Sequence, residues 1–466
     1  MAATEYLTEE EPMTQTPLHY LTIGQASTRI ARGELSPVDL VEACLERIDT
    51  LEPTHHAFIT LTADLARAQA RQAEAELRAG SYRGPLHGIP IAHKDLFLTK
   101  GIRTTAHSRL LQDWVPDEDA VAVELLRQAG AISLGKTSCH EFAFGTPGDD
   151  EAFPPARNPW NVDYMPGSSS SGSGTAVASG MVMAATGTDT GGSVRHPAAA
   201  CGIVGLKPTY GRISLQGVIP LAPSMDHVGP MTRNVADNAL LLQVLCGSQP
   251  DDFSARIGQP VQGLRVGVPA SFIAAVEHTP EVVQAFNVAQ DVLRSLGMHL
   301  IEIDPPGLAS SFETGNLIIA YEAHQYHAAN LLHSPEKLGG PLKIRLARGA
   351  ALSRADYEKA LAEASDLRAI YRTLFGGQVD LVISPGREAP AETMAHLRSN
   401  PTGKRGVTNR IYSLTGNPAI TLPMGFSRDG LPLALQIAAG HEQEALLYQA
   451  AAAYENACPW SQRHPA

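Results

Sequence analysis

From Ile89 onward, short apolar runs alternate with helical stretches, and no other feature of the chain restricts its fold as strongly. IPIAH at 89–93 is followed by the helix-forming AVAVELLRQAG at 120–130, which leads straight into AISLG. A helical stretch from Thr175 then precedes IVGLKP at 203–208. Further along come LRVGVP, the helical PEVVQAFNVAQDVLRSLG, HLIEID, DLVISP, AITLPM and PLALQIA. Short apolar runs of this kind suit strands buried on both faces, and the helices between them supply the cover. The expected fold is α/β, a central mixed and twisted β-sheet covered by helices on both faces.

Upstream of the alternation two helices are expected. Ser36 and Pro37 read as N-cap and first helical position, Asp39 sits in the first turn, and Val41, Cys44, Leu45, Ile48 and Leu51 share one apolar face. An alanine-rich helix from Thr62 to Ala79 stops at Gly80. No repeat of fixed period and no long low-complexity linker divides the chain. Residues 20–466 therefore read as a single domain behind an acidic tail over 1–19, whose first sixteen residues hold four glutamates and no basic residue.

Composition removes several function classes. At 44% hydrophobic and 18% charged residues the chain is globular rather than disordered. A net charge of -12 argues against nucleic acid or an anionic membrane as partner, because both reward clustered Lys and Arg. The most apolar stretch, around Thr175 to Ala185, is too short and too broken by glycine to span a bilayer. The acidic start is the reverse of a signal peptide, and five scattered cysteines without a CxxC pair fit reduced thiols, so a cytoplasmic protein is expected. No HExxH and no clustered ligands call for a metal, and no cofactor is expected.

The stretch MPGSSSSGSG at 165–174 has no packing rationale. A linker has no reason to sit between strand and helix signals. A phosphate cradle fails on its chemistry: Gly167 and Gly172 have the spacing of GxxxxGK[ST], but Ser173 stands where the lysine must be. GxGxxG fails for want of a third glycine. Nucleophilic chemistry finds support in a second tract, GTDTGGSVRHP at 187–197, where Ser193 follows two glycines whose bare backbone can approach a developing oxyanion. Arg195 rules out a GxSxG elbow. A serine needs a base to take its proton. His196 and His227 lie near in sequence but in no pattern that connects them to Ser193; Lys94, ending the apolar run in GIPIAHKD, becomes a base if burial drives it neutral.

GIPIAHKDL with Lys94, PGSSSSGS with Ser169 and GTDTGGSVR with Ser193 resemble, in order and spacing, the three pieces of the amidase signature family. RNPW, CGIVGLKPTYGRIS, DHVGPMTRNVADNALLL, TGNPAITLP and LPLALQIA extend the likeness over roughly residues 20 to 456. The resemblance implies a catalytic unit in which Ser193 attacks the carbonyl, Ser169 shuttles the proton and Lys94, neutral at rest, is the final base. It also implies a cis peptide between Ser168 and Ser169, and an oxyanion hole made by the backbone N–H groups of Thr190, Gly191, Gly192 and Ser193. Ser168 and Ser171 depart from the family's usual PGGSSGGS, in which both are glycine. Ser170 is expected in a supporting loop role, Asp189 and Arg195 as a buried pair behind the nucleophile loop, Lys136 and Lys207 as structural, and Cys201 in the core.

The family includes the glutamine-hydrolysing chain of the tRNA-dependent amidotransferase, which frees ammonia from glutamine and holds the substrate's ammonium with an acidic residue shortly before the TGNPA-like segment. Here residues 400–412, NPTGKRGVTNRIY, carry Lys404, Arg405 and Arg410 and no Asp or Glu. A site of that sign repels an ammonium, which favours a stand-alone amidase. The segment from Phe312 to Leu346, with Tyr321, His324, Tyr326, His327 and Leu338, suggests a neutral, partly hydrophobic amide. Carbamates, urethanes among them, and esters pass through the same tetrahedral adduct. The expected partner is thus a small amide or carbamate, with the chain a monomer or homodimer. The alternatives are a non-catalytic binding protein on the same fold and a glutaminase subunit.

Overall fold

The computed structural model describes residues 16–148, 150–247, 251–400 and 406–465. Its centre is one sheet of eleven strands: β1 (Phe58–Leu61), β2 (Pro90–Lys94), β3 (Ile132–Thr137), β4 (Ala184–Thr188), β5 (Val204–Lys207), β6 (Val228–Thr232), β7 (Arg265–Val268), β8 (His299–Glu302), β9 (Leu381–Pro385), β10 (Ala419–Phe426) and β11 (Pro432–Ala439). In space they run β1-β3-β2-β4-β6-β5-β10-β11-β9-β7-β8. The sheet is mixed: β2 lies parallel to β3 and β4, and β7 to β8 and β9, while β10 and β11 form an antiparallel pair in the middle.

Period-two alternation sorts the buried side chains onto the two faces. Ile91, Ala184, Ile383, Ile420 and Ile437 join one apolar cluster that runs along a single face. Their neighbours Ala92 and Ala185 join a second cluster, and Val382, Ala419 and Ala438 a third. Both faces are therefore covered, as the unbroken apolar runs demand. The two edge strands are the exception: no residue of β1 is buried, and in β8 His299, Ile301 and Glu302 are exposed.

The N-terminal helices follow their sequence signals. Ser36 accepts a hydrogen bond from Val38 N at 3.0 Å and caps the helix Pro37–His55, and Val41, Cys44, Leu45 and Ile48 are buried in it. The alanine-rich helix spans Ala63–Arg78, with Gly80 in the left-handed region at φ 80°. Of the expected acidic tail, residues 1–15 lie outside the described residues. Among the described residues no helix is long and apolar enough to cross a membrane.

One helix starts earlier than its sequence suggests. It spans Ser171–Ala178, so the last four of the tract's ten residues are helical and the expected start at Thr175 is four residues late. Gly172 is what lets it begin there. Its N–H donates to Ser138 O at 2.9 Å, and a β-carbon on it would overlap Ala57 O and Ser138 N. The helix is pressed against the end of β3, and that fixes the tract beside β2 and β4.

Candidate active site

Lys94 is the last residue of β2, between β3 and β4, and none of its side chain reaches solvent. Its Nζ donates to Ser169 Oγ at 2.8 Å, Ser170 Oγ at 3.0 Å and Thr188 Oγ1 at 2.7 Å. No carboxylate is within hydrogen-bonding distance among the described residues. Burial is the largest influence and pulls the amine down to about 8, opposed by Cys139, Asp189 and Asp226 at longer range. A hydroxyl can donate or accept, so this cage serves both the ammonium and the free amine.

The other two buried lysines differ. Lys136 reaches Asp95 Oδ1 at 3.4 Å and donates to Phe97 O and Thr104 Oγ1, both at 2.6 Å. Lys207 donates to Pro208 O at 2.9 Å and lies 3.2 Å from His227 Nε2. Both tie strands to loops, as expected of structural residues. Cys201 is wholly buried, its Sγ donating to Pro166 O at 3.3 Å.

The serine tract and the nucleophile loop meet over Lys94. The Ser168–Ser169 peptide bond is cis. Ser169 is buried against Lys94, while Ser168, where the family favours glycine, is half-buried and lines a cavity of about 240 Å³. Ser170 N donates to Ser193 O at 3.2 Å, and Ser170 Oγ donates to Thr188 O at 3.3 Å, so this serine ties the two loops as well as meeting Lys94. Ser193 is half-buried and lines the same cavity with Thr190 and Gly191.

Asp189 shapes the loop. Its carboxylate accepts from Gly192 N at 2.7 Å and Val194 N at 3.2 Å, and from Arg195 Nε and Nη2, both at 2.9 Å. Burial pushes this carboxyl up, but the Arg195 guanidinium and the bonds it donates outweigh that and hold it well below the usual carboxylate range. The pair is buried, as the sequence suggests.

The expected oxyanion hole needs a correction. The Gly192 N–H is committed to Asp189 Oδ1 and is not free to meet a substrate oxygen. The N–H groups of Thr190, Gly191 and Ser193 have no hydrogen-bond partner among the described residues, so three of the four expected donors remain. Thr190 is braced by its hydroxyl, which donates to Asp226 Oδ1 at 2.5 Å.

Neither histidine near Ser193 is hydrogen-bonded to it. His227 Nδ1 lies 2.7 Å from Met225 O, behind the loop. His196 lines the cavity, but burial, then Arg387 and Arg195, push it down to about 3. It stays neutral at physiological pH.

The cavity wall is only partly the one expected. The segment 312–346 does contribute, through Phe312, Glu313, Asn316, Ile319, Ala320 and Arg345. Tyr321, His324, Tyr326, His327 and Leu338, singled out in it, do not line the cavity: Tyr321 stacks on Tyr357 at 4.3 Å, His327 packs edge-on against Phe142 at 4.4 Å, Tyr326 lies 4.9 Å from His327, and Leu338 is core. Arg410 lines the cavity, whereas Lys404 and Arg405 lie outside the described residues. The acid-free reading of this region is also incomplete, because Glu388 accepts from Gly406 N and Val407 N and Glu313 stands on the cavity wall. Sequence reasoning missed Thr188, Asn316, Arg345 and Arg348. Only Thr188 had a signal, its place inside the GTDTGGSVRHP tract.

The Amidase family model matches residues 39–448. The glutamyl-tRNA(Gln) amidotransferase A subunit of Azotobacter vinelandii is 38% identical over 96% of this chain and 99% of its own. The structure of peptide amidase from Stenotrophomonas maltophilia superposes with a TM-score of 0.83 at 31% identity, covering 97% of this chain and 99% of that one. The structure of 6-aminohexanoate cyclic dimer hydrolase complexed with substrate gives 0.87 at 27% identity, with coverages of 97% and 99%. Motifs and sheet agree with a family match that spans most of the chain: the chain belongs to the amidase signature family.

Proposed function

We propose that the chain hydrolyses the C–N bond of a small amide or carbamate through a serine acyl-enzyme. Ser193 Oγ attacks the carbonyl carbon, its proton passes to Ser169 Oγ, and the Ser169 proton passes to the free amine of Lys94. The N–H groups of Thr190, Gly191 and Ser193 receive the oxyanion, and each such donor is worth on the order of 10²- to 10³-fold in rate. As the adduct collapses, the proton returns through Ser169 to the leaving nitrogen. Water then repeats the sequence on the acyl ester and releases the acid. The observation that carries this reading is Lys94, buried on three hydroxyls with no carboxylate among the described residues to hold its proton.

A base must be neutral to act, so the pH profile has a defined sign. Below about 8 the Lys94 amine is protonated, and kcat/KM is expected to rise toward a plateau above that value. At pH 7 only about a tenth of the molecules then carry the free amine. A rate profile from pH 6 to 9.5 on a non-ionising amide checks this, and a profile flat across that range would remove Lys94 as the base.

The second reading, a glutaminase subunit, is favoured by relatives such as the Azotobacter protein and by Glu313 on the cavity wall, which offers a carboxylate to an ammonium. Ammonia release from glutamine, acetamide, an anilide and a carbamate by the isolated chain separates the two. Turnover of the simple amides supports the amidohydrolase. Glutamine as the sole substrate, or one cleaved only with partner chains added, supports the subunit.

A further inference from the structure

The cavity beside Ser193 is cationic. Arg410 opens the short helix Arg410–Thr415 and is only 9% exposed. Its Nη2 donates to Asn316 Oδ1 at 3.0 Å and its guanidinium lies 5.4 Å above the Phe312 ring. Nε and Nη1 are out of reach of solvent and have no hydrogen-bond partner among the described residues. The group abuts the nucleophile loop, since a β-carbon on Gly191 would overlap Nη1. Arg345 and Arg348, three residues apart on the helix Gly340–Ala350, line the same cavity, and among the described residues one lining carboxylate, the exposed Glu313, stands against these three cations.

A buried guanidinium cannot shed its charge at neutral pH, and its unmet donors are costly in a low-dielectric setting. A carboxylate laid across the Nη1–Nη2 edge of its fork accepts from the unmet Nη1 and from the second Nη2 hydrogen at once. Because Asn316 Oδ1 is taken by Arg410, that amide keeps its Nδ2 donors for a ligand. The guanidinium's contact with Gly191, two residues from Ser193, allows only a short spacer between an anion held there and the reacting carbonyl. A cavity of about 240 Å³ sets the same limit on size.

We infer that the substrate is a small amide that itself carries a carboxylate a few bonds from the scissile carbonyl, received by Arg410 with Asn316 beside it, while Arg345 and Arg348 attract it to the cavity. This rests on the amidohydrolase reading and replaces the neutral, partly hydrophobic amide expected from sequence.

Succinamate and succinamide, nearly equal in size and differing in one charge, test it. Wild-type kcat/KM is expected to favour succinamate at least tenfold. The preference should vanish in Arg410→Gln and shrink, through KM, in Arg348→Gln, an exposed position whose replacement does not threaten folding. Calorimetric titration of succinate into Ser193→Ala provides a readout without turnover, with binding lost when Arg410→Gln is added. Equal use of the two amides by wild type, or a preference that survives Arg410→Gln in a folded protein, overturns the inference and leaves the amidohydrolase reading intact. Arg410-dependent succinate binding by a protein that cleaves no amide supports the anion site and removes the amidohydrolase reading instead.

Discussion

Lys94→Met is expected to yield a folded protein whose kcat is about 10²- to 10⁴-fold lower than wild type, the usual range for loss of a positioned acid–base group. Met fills nearly the same volume and cannot take a proton. The fold should tolerate it because the amine itself is a burden at neutral pH. A lysine held at about 8 instead of 10.5 subtracts about 3 kcal/mol from stability wherever it is charged in both states. The sign follows from the direction: the unfolded chain binds the proton more tightly, so the penalty is full below pH 8 and fades as the pH rises toward 10.5. Removing the amine lifts that penalty but leaves Ser169 and Thr188 hydroxyls without it, at about 1 to 3 kcal/mol for each group left unpaired. The two effects offset, and the melting temperature should move by only a few degrees. Ser193→Ala should abolish acyl-enzyme formation altogether. Single-turnover kinetics beside calorimetry check both, and wild-type kcat at neutral pH in folded Lys94→Met would remove the proton relay.

What could be read from sequence was whatever depends on local chemistry. Ser36 and Pro37 declare a helix start because both act within one turn, and Ser36 caps as its type predicts. Ser169 and Ser193 stand in serine- and glycine-rich tracts that packing does not call for, and Lys94 is a charged residue at the end of an apolar run. The helix start at Ser171 was hidden, because serine and glycine are weak helix formers and it is contacts from Thr137 and Ser138 that hold that turn. The cavity wall was hidden for another reason. The helix Leu308–His333 spreads its apolar residues around its circumference rather than along one stripe, so periodicity cannot say that Phe312 and Asn316 face Ser193 while Tyr321 stacks on Tyr357. The positive sign of the site was read from neighbours in sequence, but not which residues supply it. Its charges come from Glu313, Arg345, Arg348 and Arg410, which only the tertiary fold brings together.

Arg195→Met is expected to destabilise the protein by about 3 to 5 kcal/mol, the range for breaking a buried ion pair from one side. Arg195 is wholly buried and donates to Asp189, Asn409 O, Gln436 Oε1 and Ser413 Oγ, so it joins the nucleophile loop to β11 and to the segment that carries Arg410. Without it the Asp189 carboxylate is a lone buried charge. That carboxylate also fixes the Gly192 and Val194 N–H groups, and with them the directions of the three donors left free beside Ser193. Stability and rate should therefore fall together in the single variant. Adding Asp189→Asn removes the stranded charge, so the double variant should regain part of the stability. It should not regain the rate, because a neutral amide cannot accept from Gly192 and Val194 as the carboxylate does. Urea midpoints and kcat for the two single variants and the double form a cycle that separates the effects. A change under about 1 kcal/mol in Arg195→Met, or full activity in the double variant, would show that the loop keeps its shape without the pair.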